Sequence, residues 1–178
     1  MGVRVALATL AVGVLVQTPR AGAEAASEAQ LKAEIIERFV RFVDWDERDL
    51  PDTFAVCVVG ETPMTVHLER IAKRRKLRNR KATVTSMSET ANVANCQLVM
   101  IAGNDRKRLR TVISRTDGRP ILTVAESPGA ADQGAIINLF VEENHIKFEV
   151  NARAAKDGGL KIRAKLLRAA SHVVGGKD

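Results

Sequence analysis

The sequence predicts an α/β fold: a single domain with a mixed, mostly parallel sheet, helices on both faces, and a C-terminal β-hairpin followed by a helix. The first observation behind this is a set of short runs, residues 53–60 (TFAVCVVG), 97–102 (QLVMIA) and 120–125 (PILTVA), that are almost wholly apolar. Such runs suit strands covered on both faces, as in parallel sheets. The second is that segments with helical periodicity lie between them, and strands alternating with helices imply crossover connections. The third is a pair of alternating runs near the C-terminus, AIINLFVEE and NHIKFEVN. With a two-residue loop at Glu143-Asn144, Val141 faces Ile146, Leu139 faces Phe148 and Ile137 faces Val150. All six are apolar and share one face, as cross-strand pairing requires. The second of these strands then has one dry and one wet face, which suits a sheet edge.

The elements follow in order. Ser27 to Gln30 has the form of a capping box, so a helix is expected from there to about Val43. Leu31, Ile35, Phe39 and Phe42 form its apolar stripe, widened by Ile36, Val40 and Val43. Asp44-Trp45-Asp46 ends it. The strand at 53–60 comes next, and Pro63 opens a second helix carrying Val66, Leu68, Ile71 and Ala72. That helix runs into KRRKLRNRK, residues 73–81, the most basic stretch of the chain. Such a run suits either a solvated helix end or contact with phosphates or lipid headgroups, and it lacks the aromatic residues that stack on bases. Residues 82–87 alternate as a strand, and the buried strand at 97–102 follows. Asn104 or Asp105 caps a third helix through about Arg115, which Gly118 ends. After the strand at 120–125, residues 126–134 form a loop of small residues. It leaves the carboxyl end of a parallel strand, a usual place for ligands in α/β sheets. The hairpin follows, then a break at Asp157-Gly158-Gly159, then a final helix from Leu160 to Val174 with Lys161, Arg163, Lys165 and Arg168 on its outer face.

The N-terminus has a separate character. Met1 to Arg4 is a short basic region, residues 5–16 are an uncharged and mostly apolar run, and Ala21-Gly22-Ala23 fits a small-residue cleavage site. This is the pattern of a secretory signal peptide, and the apolar run is too short to span a bilayer comfortably. The expected organisation is a signal peptide over 1–23 and one domain over 24–178. The whole chain of 178 residues carries +7, and removing Arg4 and Arg20 with the signal leaves +5. Export argues against nucleic acid as a partner, and the mature chain is not expected to span a membrane. Cys57 and Cys96 are the two cysteines, each in or at the start of a strand-like run. In an exported protein an even count points to a disulfide, with two buried thiols as the alternative.

No Walker loop, dinucleotide fingerprint or nucleophile elbow occurs, and His67, His145 and His172 are scattered. No cofactor, metal site or enzyme is therefore expected. Trp45 is the only tryptophan, and it reads either as a core anchor or as a partner contact. The candidate partner-binding residues are Phe39, Phe42 and Trp45 with Lys147 and Glu149 of the hairpin, on the argument of aromatic anchors beside an open strand edge. A small-ligand sensor using a pocket near residues 126–134 is the alternative.

The ordered motifs resemble the YfiR-like family, also called DUF4154. Phe39-Val40-Arg41-Phe42-Val43-Asp44-Trp45 is similar to the family's F-x-x-F-V-x-W-P segment, with Asp46 at the proline. Phe54 to Gly60, Cys96 to Ile101, Ile121 to Glu126 and Gly134 to Ile137 are similar to its strand motifs in order. Phe148 to Asn151, Ala154-Ala155 and Gly159 to Leu167 resemble its C-terminal motif, with Arg163-Ala164 where the family has a serine pair. The resemblance implies a small periplasmic regulatory protein. It also implies a protein partner, the periplasmic sensor domain of an inner-membrane diguanylate cyclase or a similar membrane protein, whose repression lowers cyclic-di-GMP and biofilm formation. Redox state and homodimerisation belong to that implied regulation.

Overall fold

Three parallel apolar strands form the centre of the sheet, and everything else serves to cover them. The computed structural model describes residues 21–48 and 50–176. The run at 5–16 that carries the signal-peptide reading lies outside the described residues. The elements are α1 (Ala21–Phe42), β1 (Val43–Asp44), β2 (Thr53–Val59), α2 (Met64–Arg74), β3 (Lys81–Met87), β4 (Leu98–Ile101), α3 (Arg106–Thr116), β5 (Leu122–Ala125), β6 (Ile137–Glu142), β7 (His145–Asn151), α4 (Ala152–Asp157), β8 (Lys161–Ile162), α5 (Ala164–Ala169) and β9 (His172–Val174). The main sheet has the order β3-β2-β4-β5-β6-β7-β9. β3 through β6 run parallel, β7 turns back antiparallel on β6, and β9 lies parallel to β7. This is the α/β class, one domain, and mixed mostly parallel sheet that the sequence predicts.

Strand periodicity divides the core in two. Phe54, Val56 and Val58 of β2, Leu98 and Met100 of β4, and Leu122 and Val124 of β5 face α1 and α2. Cys57, Val59, Val99, Ile101 and Ala125 face the other way, towards Leu109 and Val112 of α3. No strand in this centre can therefore carry a polar face. The second layer is pinned covalently: Cys57 on β2 and Cys96 just before β4 form a disulfide, with Cα atoms 6.0 Å apart. Met87 Sδ lies 3.9 Å from Cys96 Sγ, which closes the layer over the bond.

The hairpin register is as predicted, with Val141 opposite Ile146, Leu139 opposite Phe148 and Ile137 opposite Val150. Glu143 and Asn144 take φ of 49° and 61°, the two left-handed residues of a type I′ turn.

Three expectations are corrected. α1 already includes residues 21–26 ahead of Ser27, because alanine-rich residues favour a helix. Residues 160–174 do not form one helix. The chain makes β8, a six-residue α5 and then β9. The open half of β7 offers hydrogen bonds that a longer helix would leave unused: the Ser171 amide donates to Phe148 O at 2.9 Å, and Val173 pairs with Val150. The β-branched Val173 and Val174 favour that extended pairing. It follows that β7 is not the sheet edge over its C-terminal half; β9 is. Ahead of the break at Asp157-Gly158-Gly159 the chain also forms α4, capped by Asn151, whose side chain accepts from the Ala154 amide at 2.7 Å.

A small second sheet, unforeseen in sequence, joins the end of α1 to the C-terminal region. Val43 pairs with Ile162 and Asp44 with Lys161. Arg163 locks it by donating to Asp44 from Nε at 3.0 Å and Nη2 at 2.6 Å. That hydrogen bond holds the Asp44 carboxyl below its ordinary range. A hydrogen bond from Arg48 likewise lowers Asp46, to about 2.

Two outcomes are expected. Reducing the disulfide, or replacing both cysteines by alanine, should lower stability by about 4 kcal/mol on the loop-entropy argument, read as the shift of a urea midpoint with and without reductant. For Asp44, a depressed folded-state pKa gives stability that is complete above the ordinary carboxylate range and is lost as pH falls below it. The stability gap between wild type and Arg163→Ala, measured by urea titration at a series of pH values, should therefore be present at about pH 6 and close as pH falls from about 4 towards 2.

Candidate functional site

Folds of this topology leave a crevice at the carboxyl ends of the strands where the order reverses, here β2 and β4. In this chain Arg108 fills it. Its Nη1 donates to Ala102 O at 2.7 Å and its Nε to Glu89 at 3.0 Å. Gly60, at φ 93°, makes room: a Cβ there would lie 2.8 Å from the guanidinium. The neighbouring loop at 126–134 is closed as well. Ser127 Oγ donates to Gly103 O at 2.9 Å, Asn151 Nδ2 donates to Ala131 O at 2.8 Å, and Ala130, Ala131 and Ala135 are buried. Glu126 is taken by Lys32 of α1 at 2.7 Å. Burial opposes the charge on Lys32, but hydrogen bonds to Glu126 and Glu28 outweigh it and raise its pKa. The crevice and most of the loop are thus filled by the chain's own side chains, and a cavity of about 180 Å³ borders the loop only at Gly134.

The five candidate partner-binding residues do not share one surface. Phe39 is buried beneath α1, with its ring 4.9 Å from that of Phe148. Trp45 is only 6% exposed. Its indole N–H donates to Pro120 O at 2.9 Å, and its ring meets Phe54 edge-on at 5.4 Å. A buried, hydrogen-bonded indole is a core anchor. Phe42 is half-buried, with Lys165 Nζ 5.6 Å above its ring. Lys147 and Glu149 lie on the opposite face of β7 from Phe148, because successive strand residues alternate. Lys147 pairs with Glu142, and Glu149 accepts from Asn138 Nδ2 at 3.0 Å.

A different part of α1 and the hairpin converge. Leu31 is 49% exposed and Val141 44% exposed. They line one groove of about 360 Å³ between the start of α1 and the hairpin tip, together with Glu28, Asn144, His145 and Ile146. The cause is strand length. β5 ends at Ala125, opposite Asn138, so beyond that point β6 has only β7 beside it. The two-stranded tip projects past the sheet, and its apolar pair Val141 and Ile146 is only partly covered by α1. Leu31 tops the same stripe that buries Phe39. Sequence periodicity assigns Leu31 and Val141 to the core face. The signal that they are exposed is the mismatch in length between the hairpin and the strand before it.

Among the described residues, no group of three or more His, Cys, Asp or Glu is placed to hold a metal, and no helix is long and apolar enough to cross a membrane.

The model of the YfiR/HmsC-like family matches residues 29–171, from within α1 to the residue before β9. The chain belongs to that family. Family membership accounts for the ordered motifs from Phe39 to Leu167. No curated protein sequence matches the chain. Among solved structures, an ABC domain from Streptococcus pneumoniae in complex with L-Trp aligns over 82% of this chain, with a TM-score of 0.55 and 10% identity. A conserved domain protein from Vibrio cholerae aligns over 82% with a TM-score of 0.53 and 12% identity. The chain spans 60% of the length of each. At such identity the likeness is one of fold.

The position of Trp45 sets an expectation. Trp45→Ala should cost about 3–5 kcal/mol of stability, seen as a lowered urea midpoint, since it removes a core ring and leaves the Pro120 carbonyl without its donor.

Proposed function

We propose that the protein is an exported, non-enzymatic regulator that binds a membrane protein's periplasmic domain through the groove between α1 and the hairpin tip. The observation that carries this reading is the pair Leu31 and Val141. They are two of the three large apolar side chains exposed among the described residues, and they meet in one groove. Apolar side chains gathered at a recessed site with a charged rim suit a protein interface. Glu28 supplies charge at that rim, with Asn144 and His145 beside it. Family membership supports a periplasmic regulatory role. Export is supported by the basic start, the apolar run at 5–16 and the Ala21-Gly22-Ala23 site, and the Cys57–Cys96 disulfide fits an oxidising compartment. The partner that family membership favours is the sensor domain of an inner-membrane diguanylate cyclase, held inactive when this protein is bound.

The test has a cellular and a molecular arm. Deleting the gene should raise cellular cyclic-di-GMP, and complementation should reverse the rise. Complementation with Leu31→Glu or Val141→Glu should fail, and each variant should capture its membrane partner at least about tenfold more weakly, a loss of about 1.4 kcal/mol. Both side chains are half-exposed, so stability should change by about 0.5 kcal/mol or less. Full activity of both variants would remove the groove from the account, and unchanged cyclic-di-GMP on deletion would remove the cyclase.

A further inference from the structure

A wider cleft than this groove lies elsewhere, where the end of α1, the turn after α2 and the start of α5 meet. It encloses about 530 Å³, and Glu37, Arg41, Arg75, Lys76, Arg78 and Arg163 line much of it. Its charges are unbalanced in a regular way, because each carboxylate there holds two guanidiniums. Glu37, only 4% exposed, accepts from Arg41 at 2.6 Å and from Arg75 at 3.4 Å. Asp44 accepts from Arg163 at 2.6 Å and from Arg78 at 3.4 Å. Glu47 accepts from Arg78, and from Arg80 at 2.8 Å. A buried carboxylate needs a cationic partner, but one is enough to neutralise it. Five arginines therefore share three carboxylates, and Lys76 adds a further cation that pairs with no carboxylate among the described residues.

The guanidiniums also keep donors to spare. Arg41 and Arg163 spend Nε and Nη2 on their carboxylates, and their Nη1 finds no acceptor among the described residues. Arg75 spends only Nη1. Arg78 is held in place from several sides. Its guanidinium lies 6.0 Å from the centre of the Trp45 ring, and its side chain is only 15% exposed. Its backbone and that of Asn79 take φ of 49° and 61°, a left-handed pair that a non-glycine residue adopts at a cost. Its Nε is buried with no acceptor among the described residues.

We propose that this cleft binds a phosphate-bearing anion. The cations approach from three separate elements, so a tetrahedral group with several charged oxygens can accept from more than one of them at once. A lone carboxylate presents its two oxygens in one plane and would engage one fork. The excess positive charge supplies the attraction, and the carboxylates hold the arginines in position before the anion arrives. The site is separate from the groove at Leu31 and Val141 and does not depend on the role assigned to that groove.

The test uses the disulfide-bonded mature chain and two probes. Inorganic pyrophosphate is titrated by calorimetry at about 20 mM ionic strength, where charge interactions are least screened, and phosphatidylglycerol vesicles are used in co-sedimentation. Binding to at least one probe is expected, and Arg75→Glu and Lys76→Glu should each weaken it by about tenfold or more. Lys76 makes no ion pair among the described residues, so its variant stays informative if Arg75→Glu, which strips a partner from Glu37, fails to fold. Lys107→Glu, the same charge change on α3 across the sheet, should alter binding by about twofold or less. Pyrophosphate binding without vesicle binding identifies a free phosphate compound, and vesicle binding abolished by the same variants identifies a lipid headgroup. No binding of either probe, or an equal loss with Lys107→Glu, overturns the proposal.

Discussion

The central strands of this protein have no polar face, and that constraint organises the rest of the chain. β2, β4 and β5 are buried on both sides, so each side must be covered by something apolar. α1 and α2 cover one side, and α3 with the disulfide-bonded loop before β4 covers the other. Because the strands run parallel, each connection must return across a face of the sheet, and the connections are themselves the covering layers. The disulfide then ties the loop layer to β2, where no long helix packs.

That economy fails at the margins of the sheet, and the candidate sites lie there. The hairpin outruns β5, which leaves Val141 and Ile146 under-covered beside Leu31. At another margin, the end of α1 is bound to the C-terminal region by the two-residue strands β1 and β8 and by the Asp44–Arg163 pair. The arginines of the basic stretch after α2 collect against that junction. The carboxyl ends of the strands, where α/β proteins commonly hold ligands, are instead packed by Arg108, Ser127 and Asn151.

The hairpin was legible in sequence to the residue, because a period of two leaves one register that places Val141, Leu139 and Ile137 against Ile146, Phe148 and Val150. The buried strands and the third helix were legible for similar reasons: unbroken apolar runs have few alternatives, and Asp105 accepts from two backbone amides as an N-cap. Residues 160–174 were not. Leu160, Ala164 and Leu167 satisfy a helical period, but Val173 and Val174 satisfy an extended one equally well, and the open edge of β7 decides between them.

Local pattern therefore determined the class of fold, the disulfide-bearing strands, the hairpin register and the family, since each depends on neighbours along the chain or on motif order. The tertiary structure decided which side chains remain available. Trp45 became a core anchor because a carbonyl from Pro120, distant in sequence, reaches its indole N–H. Leu31 and Val141 became a surface because two elements end at different heights. The basic stretch became a cleft because Glu37, Asp44 and Glu47 converge on it from other elements. Periodicity reports which face of an element is apolar, but exposure depends on where its neighbours stop, and that is a property of the assembled chain.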